Sequence, residues 1–66
     1  MLIFLNGEKI EIKNDVTIQD MLEHVGHNKN MVAAALNETF VPRSLYCETK
    51  LKENDALEFL KPMAGG

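Results

Sequence analysis

The residues with the clearest chemical potential stand at the end of the sequence, where Gly65 and Gly66 follow Ala64. Two glycines pack against nothing and carry maximal backbone freedom, so they contribute little to a fold. Because they lack a Cβ atom, they can thread a narrow channel and carry a terminal carboxylate into an active site on another protein. From Lys61, an extended tail reaches roughly 20 Å. We therefore interpret Gly65 and Gly66 as a reactive end, against the alternatives of a frayed terminus or a cloning remnant.

The chemistry of such an end follows from its carboxylate. The Gly66 carboxylate is ionised at pH 7 and is then a poor electrophile. Adenylation by ATP would convert it into a mixed anhydride with a good leaving group. A sulfur donor could then attack the anhydride and leave a thiocarboxylate, a nucleophilic form of sulfur. The Gly-Gly pair is a weak signal alone, but a strong one at the end of a small strand–strand–helix–strand domain.

Other side chains offer little chemistry. Cys47 is the single cysteine, so it forms no internal disulfide, which agrees with a reducing compartment. We expect it to be a partly buried small residue. His24 and His27 have no cysteine or carboxylate at zinc-ligand spacing, and we expect both to be solvated. The sequence therefore predicts no catalytic residue, no metal site and no cofactor.

Length and charge narrow the function classes. A chain of 66 residues forms one domain, and its net charge of −3 argues against a nucleic-acid partner. The longest apolar stretches, 1–5 and 31–36, are too short to span a membrane. We expect a cytoplasmic protein that is a monomer when free.

The first elements are predicted by turn and capping residues. Residues 2–5 are apolar and residues 8–12 alternate between polar and apolar. Asn6-Gly7 between these segments predicts a hairpin whose two-residue turn places Leu5 opposite Glu8. Thr17 with Asp20 three residues later predicts a helix start, and Gly26 predicts its end. The hairpin's inner face, the helix stripe and the last strand together form the predicted core, which comprises Ile3, Leu5, Ile10, Ile12, Ile18, Met21, Leu22, Val25, Leu57 and Phe59.

In the second half of the chain, turn-forming residues between apolar segments predict the elements. The apolar run 31–36 is followed by a turn at Asn37-Glu38, a short strand 39–41, an irregular segment 43–52 and a final strand 56–61. Apolar character predicts three anchors within the irregular segment: Leu45, Tyr46 and Leu51. One helix on one face of a sheet gives a two-layer α+β domain. We assign the domain to residues 1–61 and a flexible tail to residues 62–66.

Several segments resemble the ThiS family, the sulfur carriers of thiamine thiazole biosynthesis. They are the Asn6-Gly7 hairpin, the helix entry 17–22, the run 34–37 leading to Val41-Pro42-Arg43, the segment 54–59, and the Ala64-Gly65-Gly66 end. The family usually has glycine where this chain has Asn54. Asparagine also tolerates the left-handed conformation, so we expect the turn to survive.

The resemblance implies a fold and a set of partners. The fold would be the ubiquitin-like β-grasp, a mixed sheet of four to five strands with the last strand beside the first. A ThiF-like adenylating enzyme would activate Gly66, a cysteine desulfurase or sulfurtransferase would supply sulfur, and a ThiG-like thiazole synthase would receive it. The chain itself would be a co-substrate and not an enzyme.

Alternating side chains predict a docking surface for these partners. If Leu57 and Phe59 face the helix, Leu60 faces outward, as do Leu2 and Phe4 on the first strand. With the last strand beside the first, Phe4 and Leu60 would be neighbours. The predicted partner-binding residues are Phe4, Leu60, Leu2, Pro62, Met63 and Ala64. The alternative is that the segment 43–52 covers Phe4 and Leu60.

Three other functions share part of this pattern. The small subunit of molybdopterin synthase has the same fold and ending, but is usually longer, with an extra middle segment. A ubiquitin-like modifier would form isopeptide bonds to lysines. A plain interaction module would tolerate the loss of both glycines.

Overall fold

A five-stranded sheet with one helix against one face forms the architecture of the computed structural model, which describes residues 1–26 and 32–60. The elements are β1 (Leu2–Leu5), β2 (Glu8–Glu11), α1 (Ile18–His24), β3 (Ala33–Leu36), β4 (Thr39–Val41), a 3₁₀ helix (Arg43–Leu45) and β5 (Ala56–Leu60). The strand order is β2-β1-β5-β3-β4, with β1 and β5 parallel and the other pairs antiparallel. The predicted α+β class and mixed β-grasp sheet are therefore confirmed.

The first hairpin forms as its turn residues predict. Asn6 and Gly7 both have positive φ, 50° and 87°, which suits a two-residue turn between twisted strands. Leu5 lies opposite Glu8, and Ile3 lies opposite Ile10. β2 ends at Glu11, one residue earlier than predicted. Ile12 nevertheless donates its N–H to the Met1 carbonyl at 2.8 Å.

A reciprocal capping box begins α1. The Thr17 Oγ1 accepts from the Asp20 N–H at 3.1 Å, and Asp20 Oδ2 accepts from the Thr17 N–H at 3.0 Å. These bonds satisfy backbone donors that a helix start would leave unpaired. Gly26, with φ 78°, supplies the predicted left-handed residue after the helix.

Left-handed residues also shape the second half of the fold. Asn37 and Glu38 have φ values of 51° and 70° and join β3 to β4. Asn54 has φ 69° just before β5. The expectation that asparagine would support this turn in place of glycine is confirmed.

The core lies between α1 and the sheet. Six of the predicted core residues are buried: Ile3, Ile18, Met21, Leu22, Leu57 and Phe59. Four more pack against them while partly exposed: Leu5, Ile10, Ile12 and Val25. The structure adds five buried residues: Val32, Ala34, Val41, Tyr46 and Leu51.

Two expectations for the segment after β4 are wrong. Leu45 was expected to anchor this segment but is 43% exposed, and Cys47 is exposed where partial burial was expected. The 3₁₀ helix ends at Leu45 and is capped by Tyr46, whose N–H bonds to the Arg43 carbonyl at 3.1 Å. This single turn directs Tyr46 into the core, so that its neighbours on both sides remain at the surface. Tyr46 and Leu51 are the anchors that the structure confirms.

Candidate functional site

The strand that precedes the Gly-Gly end lies in the middle of the sheet. Residues 61–66, which include the predicted Pro62, Met63 and Ala64 contacts and the Gly65-Gly66 end, lie outside the described residues. β5 is hydrogen-bonded to β1 on one side and to β3 on the other. Its inward side chains, Leu57 and Phe59, are buried. The tail therefore begins from a strand held on both edges and on one face.

Two asparagine side chains hold β5 at its ends. Near its end, Asn6 Oδ1 accepts from the Phe59 N–H at 2.9 Å. At its start, Asn37 Oδ1 accepts from the Ala56 N–H at 2.9 Å, and Asn37 Nδ2 donates to Asp55 Oδ1 at 3.0 Å. Both asparagines lie in two-residue turns, where each adopts the left-handed conformation that the turn requires and each side-chain amide bonds to β5. The turn signal in the sequence identified both residues, but not the strand that their side chains would bind.

The predicted outer surface is only partly assembled. Leu2 and Phe4 face away from α1, since Phe4 lies opposite the exposed Lys9 and next to the buried Ile3. Leu60 faces the same way and is 54% exposed. However, Phe4 pairs with Ala56, four residues before Leu60, which separates the two by about 13 Å along the strand. The prediction that Phe4 and Leu60 are neighbours is wrong. The alternation of side chains predicts the face of each strand, but not which residue of β5 lies opposite Phe4.

Leu60 has different apolar neighbours on the outer face. It lies opposite Ala33 of β3, and Ala35 of the same strand lies opposite Phe40 of β4. Phe40 is 66% exposed, the largest exposed fraction among the large hydrophobic side chains of the described residues. We call Ala33, Ala35, Phe40 and Leu60 the outer patch. Sequence reasoning missed Phe40, although its alternation with Val41 and the two-residue turn at Asn37-Glu38 could have placed it there.

A groove of about 300 Å³ adjoins the outer patch and is called here the Tyr46 groove. Its lining residues are Val32, Ala33, Phe40, Pro42, Arg43 and Tyr46. Tyr46 is only 1% exposed, and its hydroxyl has no hydrogen-bond partner among the described residues. Arg43 is exposed and its side chain pairs with no carboxylate in the described ranges. The groove is thus lined mainly by apolar side chains, together with the Arg43 cation, which makes no ion pair with the described residues.

A second groove, of about 730 Å³, lies between β2 and α1 and includes Ile10, Ile12 and Met21.

Within residues 1–26 and 32–60, no group of three potential ligands is placed to hold a metal ion. His24 is exposed, as predicted, while His27 falls outside those ranges. No helix in the described part of the chain is both long and apolar enough to cross a membrane.

Comparison with known proteins gives one family for most of the chain. The model of the ThiS family matches residues 3–66. The crystal structure of a thiamine biosynthesis protein (ThiS) from Geobacter metallireducens superposes with a TM-score of 0.86 at 26% identity, covering 100% of both chains. A solution NMR structure of a thiamine biosynthesis protein from the same organism gives a TM-score of 0.80 and covers 100% of this chain and 88% of that one.

Curated sequences add two kinds of relative. The uncharacterised protein ycf40 of Pyropia yezoensis is 31% identical over 64 residues, which are 97% of this chain and 90% of that protein. A thiazole synthase of Paramagnetospirillum magneticum is 29% identical over 66 residues, which are 100% of this chain but only 20% of the synthase. The chain therefore belongs to the ThiS family of small sulfur-carrier proteins.

Proposed function

We propose that this chain carries sulfur as a thiocarboxylate on Gly66 and delivers it for thiazole formation in thiamine biosynthesis. The observation that carries this proposal is the family match, which runs through Gly66. The fold adds support, because the residues before the tail form the central strand of the sheet. The proposed role is that of a co-substrate in the cytoplasm, with the chemistry performed by partner enzymes.

The proposed cycle begins with ATP. A carboxylate oxygen of Gly66 attacks the α-phosphorus of ATP and releases pyrophosphate, which forms an acyl adenylate on an adenylating enzyme. The terminal sulfur of a persulfide on a desulfurase or sulfurtransferase then displaces AMP and forms an acyl disulfide. A thiol cleaves this disulfide, which leaves the thiocarboxylate on Gly66 and a new disulfide between the thiol and the donor. The two glycines serve this cycle because they have no side chain to obstruct entry into successive active sites.

The proposed acceptor of the sulfur is a thiazole synthase. The synthase of Paramagnetospirillum magneticum contains, within one polypeptide, a segment similar to this whole chain. A carrier and an acceptor that are joined in one protein must act in the same place at the same time. This supports a synthase as the partner of the present chain.

Intact mass spectrometry tests the proposal. The chain is incubated with an adenylating enzyme of the ThiF type, ATP and a sulfur source, and we expect a mass increase equal to the difference between sulfur and oxygen. A variant lacking Gly66 should show no adenylate and no mass increase, while its melting temperature stays at the wild-type value. Conjugation to lysines of other proteins would instead indicate a modifier. Adenylation of the shortened variant would contradict the assignment of Gly66.

A further inference from the structure

The outer patch and the Tyr46 groove form a continuous surface beside the point where the tail begins. Leu60, the last described residue, lies opposite Ala33, and Ala33 lines the groove together with Phe40. The tail follows Leu60, so an enzyme that takes Gly66 into its active site lies within roughly 20 Å of this end of the sheet. Phe4 lies further from it, opposite Ala56 at the start of β5. Position along β5 therefore favours the Phe40 side over the Phe4 side for contact with a tail-accepting enzyme.

The side chains of the outer patch and the Tyr46 groove indicate what kind of partner surface would bind there. Phe40 and Leu60 are exposed large apolar side chains on the same face as Ala33 and Ala35, which resembles the apolar centre of a protein interface. The exposed Glu58, opposite Ala35, borders this group. Arg43 is a cation with no ion pair among the described residues, in a chain of net charge −3. Arginine commonly binds carboxylates with two parallel hydrogen bonds. The fitting partner surface has an apolar side chain beside a carboxylate.

The buried hydroxyl of Tyr46 is an independent observation. A buried polar group without a partner costs free energy, and such groups are few in native structures. Tyr46 lines the groove that Arg43 also lines. The hydroxyl oxygen is itself buried, so a partner oxygen would reach it only as side chains that line the groove move, and would then supply a hydrogen bond that the described residues do not. The hydroxyl would then contribute to binding and not to folding.

The geometry points to the outer patch and the Tyr46 groove as the docking surface for the thiazole synthase, an inference that rests on the proposed function. Phe40 and Leu60 would form its apolar centre, and Arg43 and Tyr46 would receive a carboxylate or carbonyl oxygen of the synthase. A thiazole synthase contains a segment similar to this chain, which favours the synthase among the enzymes of the cycle. This surface replaces the predicted pairing of Phe4 with Leu60.

Calorimetric titration of the unmodified chain into purified thiazole synthase tests the surface. We expect Phe40→Ser and Arg43→Glu each to weaken binding by about tenfold or more, the scale of an interface anchor. The matched controls are Leu45→Ser, which changes an exposed leucine outside the groove, and Lys9→Glu, which reverses a charge at the far edge of the sheet. Both controls should bind as the wild type does.

Tyr46→Phe gives a readout that separates docking from folding. Since the hydroxyl has no hydrogen-bond partner among the described residues, its removal should leave the melting temperature unchanged or higher, while binding to the synthase becomes weaker. A lower melting temperature with unchanged binding would show that the hydroxyl serves the fold.

Four results would overturn the proposal. Wild-type affinity in both Phe40→Ser and Arg43→Glu would place the synthase elsewhere, and a loss confined to Phe4→Ala would place it on the first strand. If Phe40→Ser and Arg43→Glu lost adenylation but kept synthase binding, the surface would belong to the adenylating enzyme. If the wild-type chain did not bind the synthase, the synthase would not be the partner of this surface. Thiocarboxylate formation, measured separately by mass, shows whether the proposed sulfur chemistry also fails.

Discussion

Leu22 on α1 illustrates how single side chains stabilise this small domain. It has no exposed surface and belongs to the same buried cluster as Ile3 and Leu57. We expect Leu22→Ala to lower the free energy of unfolding by about 2–5 kcal/mol, because the substitution removes buried methyl groups and leaves a cavity. Urea unfolding followed by circular dichroism measures the change.

Leu60→Ala is the matched control for that substitution. It makes the same chemical change at a side chain that is 54% exposed, so the free energy of unfolding should change by less than about 0.5 kcal/mol. Equal effects of the two substitutions would show that the helix does not bury Leu22 against the sheet.

At the scale of elements, the hydrogen bond from Phe59 N–H to Asn6 links the first turn to the strand before the tail. Asn6→Gly keeps the positive φ of the turn but removes the side-chain acceptor. We expect it to lower the free energy of unfolding by about 1 kcal/mol, the usual net value of one hydrogen bond. Chemical denaturation of the variant beside the wild type measures this difference.

Asn54→Gly controls for the change of residue type. Asn54 also has positive φ, but its side chain makes no hydrogen bond with the described residues. Its replacement should change the free energy of unfolding by less than about 0.5 kcal/mol. If both variants lose the same stability, the effect comes from glycine's backbone freedom and not from the bond to Phe59.

At the scale of the whole molecule, the pairing of β1 with β5 joins the two ends of the chain. The Phe4 N–H donates to the Asp55 carbonyl at 2.8 Å, and the Asn6 N–H donates to the Leu57 carbonyl at 2.9 Å. Both bonds link β1 to β5, and neither strand lies at an edge of the sheet. We expect these amides to exchange with solvent only when the domain unfolds globally.

Native-state hydrogen exchange by NMR tests this expectation. The free energy of opening at the Phe4 and Asn6 amides should equal the global value. The Glu48 amide, which bonds to the Leu45 carbonyl at 3.0 Å in an exposed turn, should open at a lower free energy. Lower protection at Phe4 than at Glu48 would mean that β1 separates from β5 while the domain remains folded.

The sequence by itself determined the local structure, the inner and outer faces, and the family. Asn6-Gly7, the Thr17–Asp20 capping box, Gly26 and Asn54 adopt the predicted conformations, because each depends on backbone preferences within a few residues. Strand alternation also placed Ile3 inward and Leu60 outward. These features required no knowledge of distant partners.

Only the tertiary structure decided which distant residues meet. Alternation predicts the face of a strand but not how far one strand is shifted along another. The parallel register of β1 and β5 puts Phe4 opposite Ala56, and the pairing of β3 with its neighbours puts Phe40 opposite Ala35 and Leu60 opposite Ala33 on one face. The 3₁₀ turn likewise buries Tyr46 and exposes Leu45 and Cys47. Such placements follow from long-range packing, which the local pattern of residues does not encode.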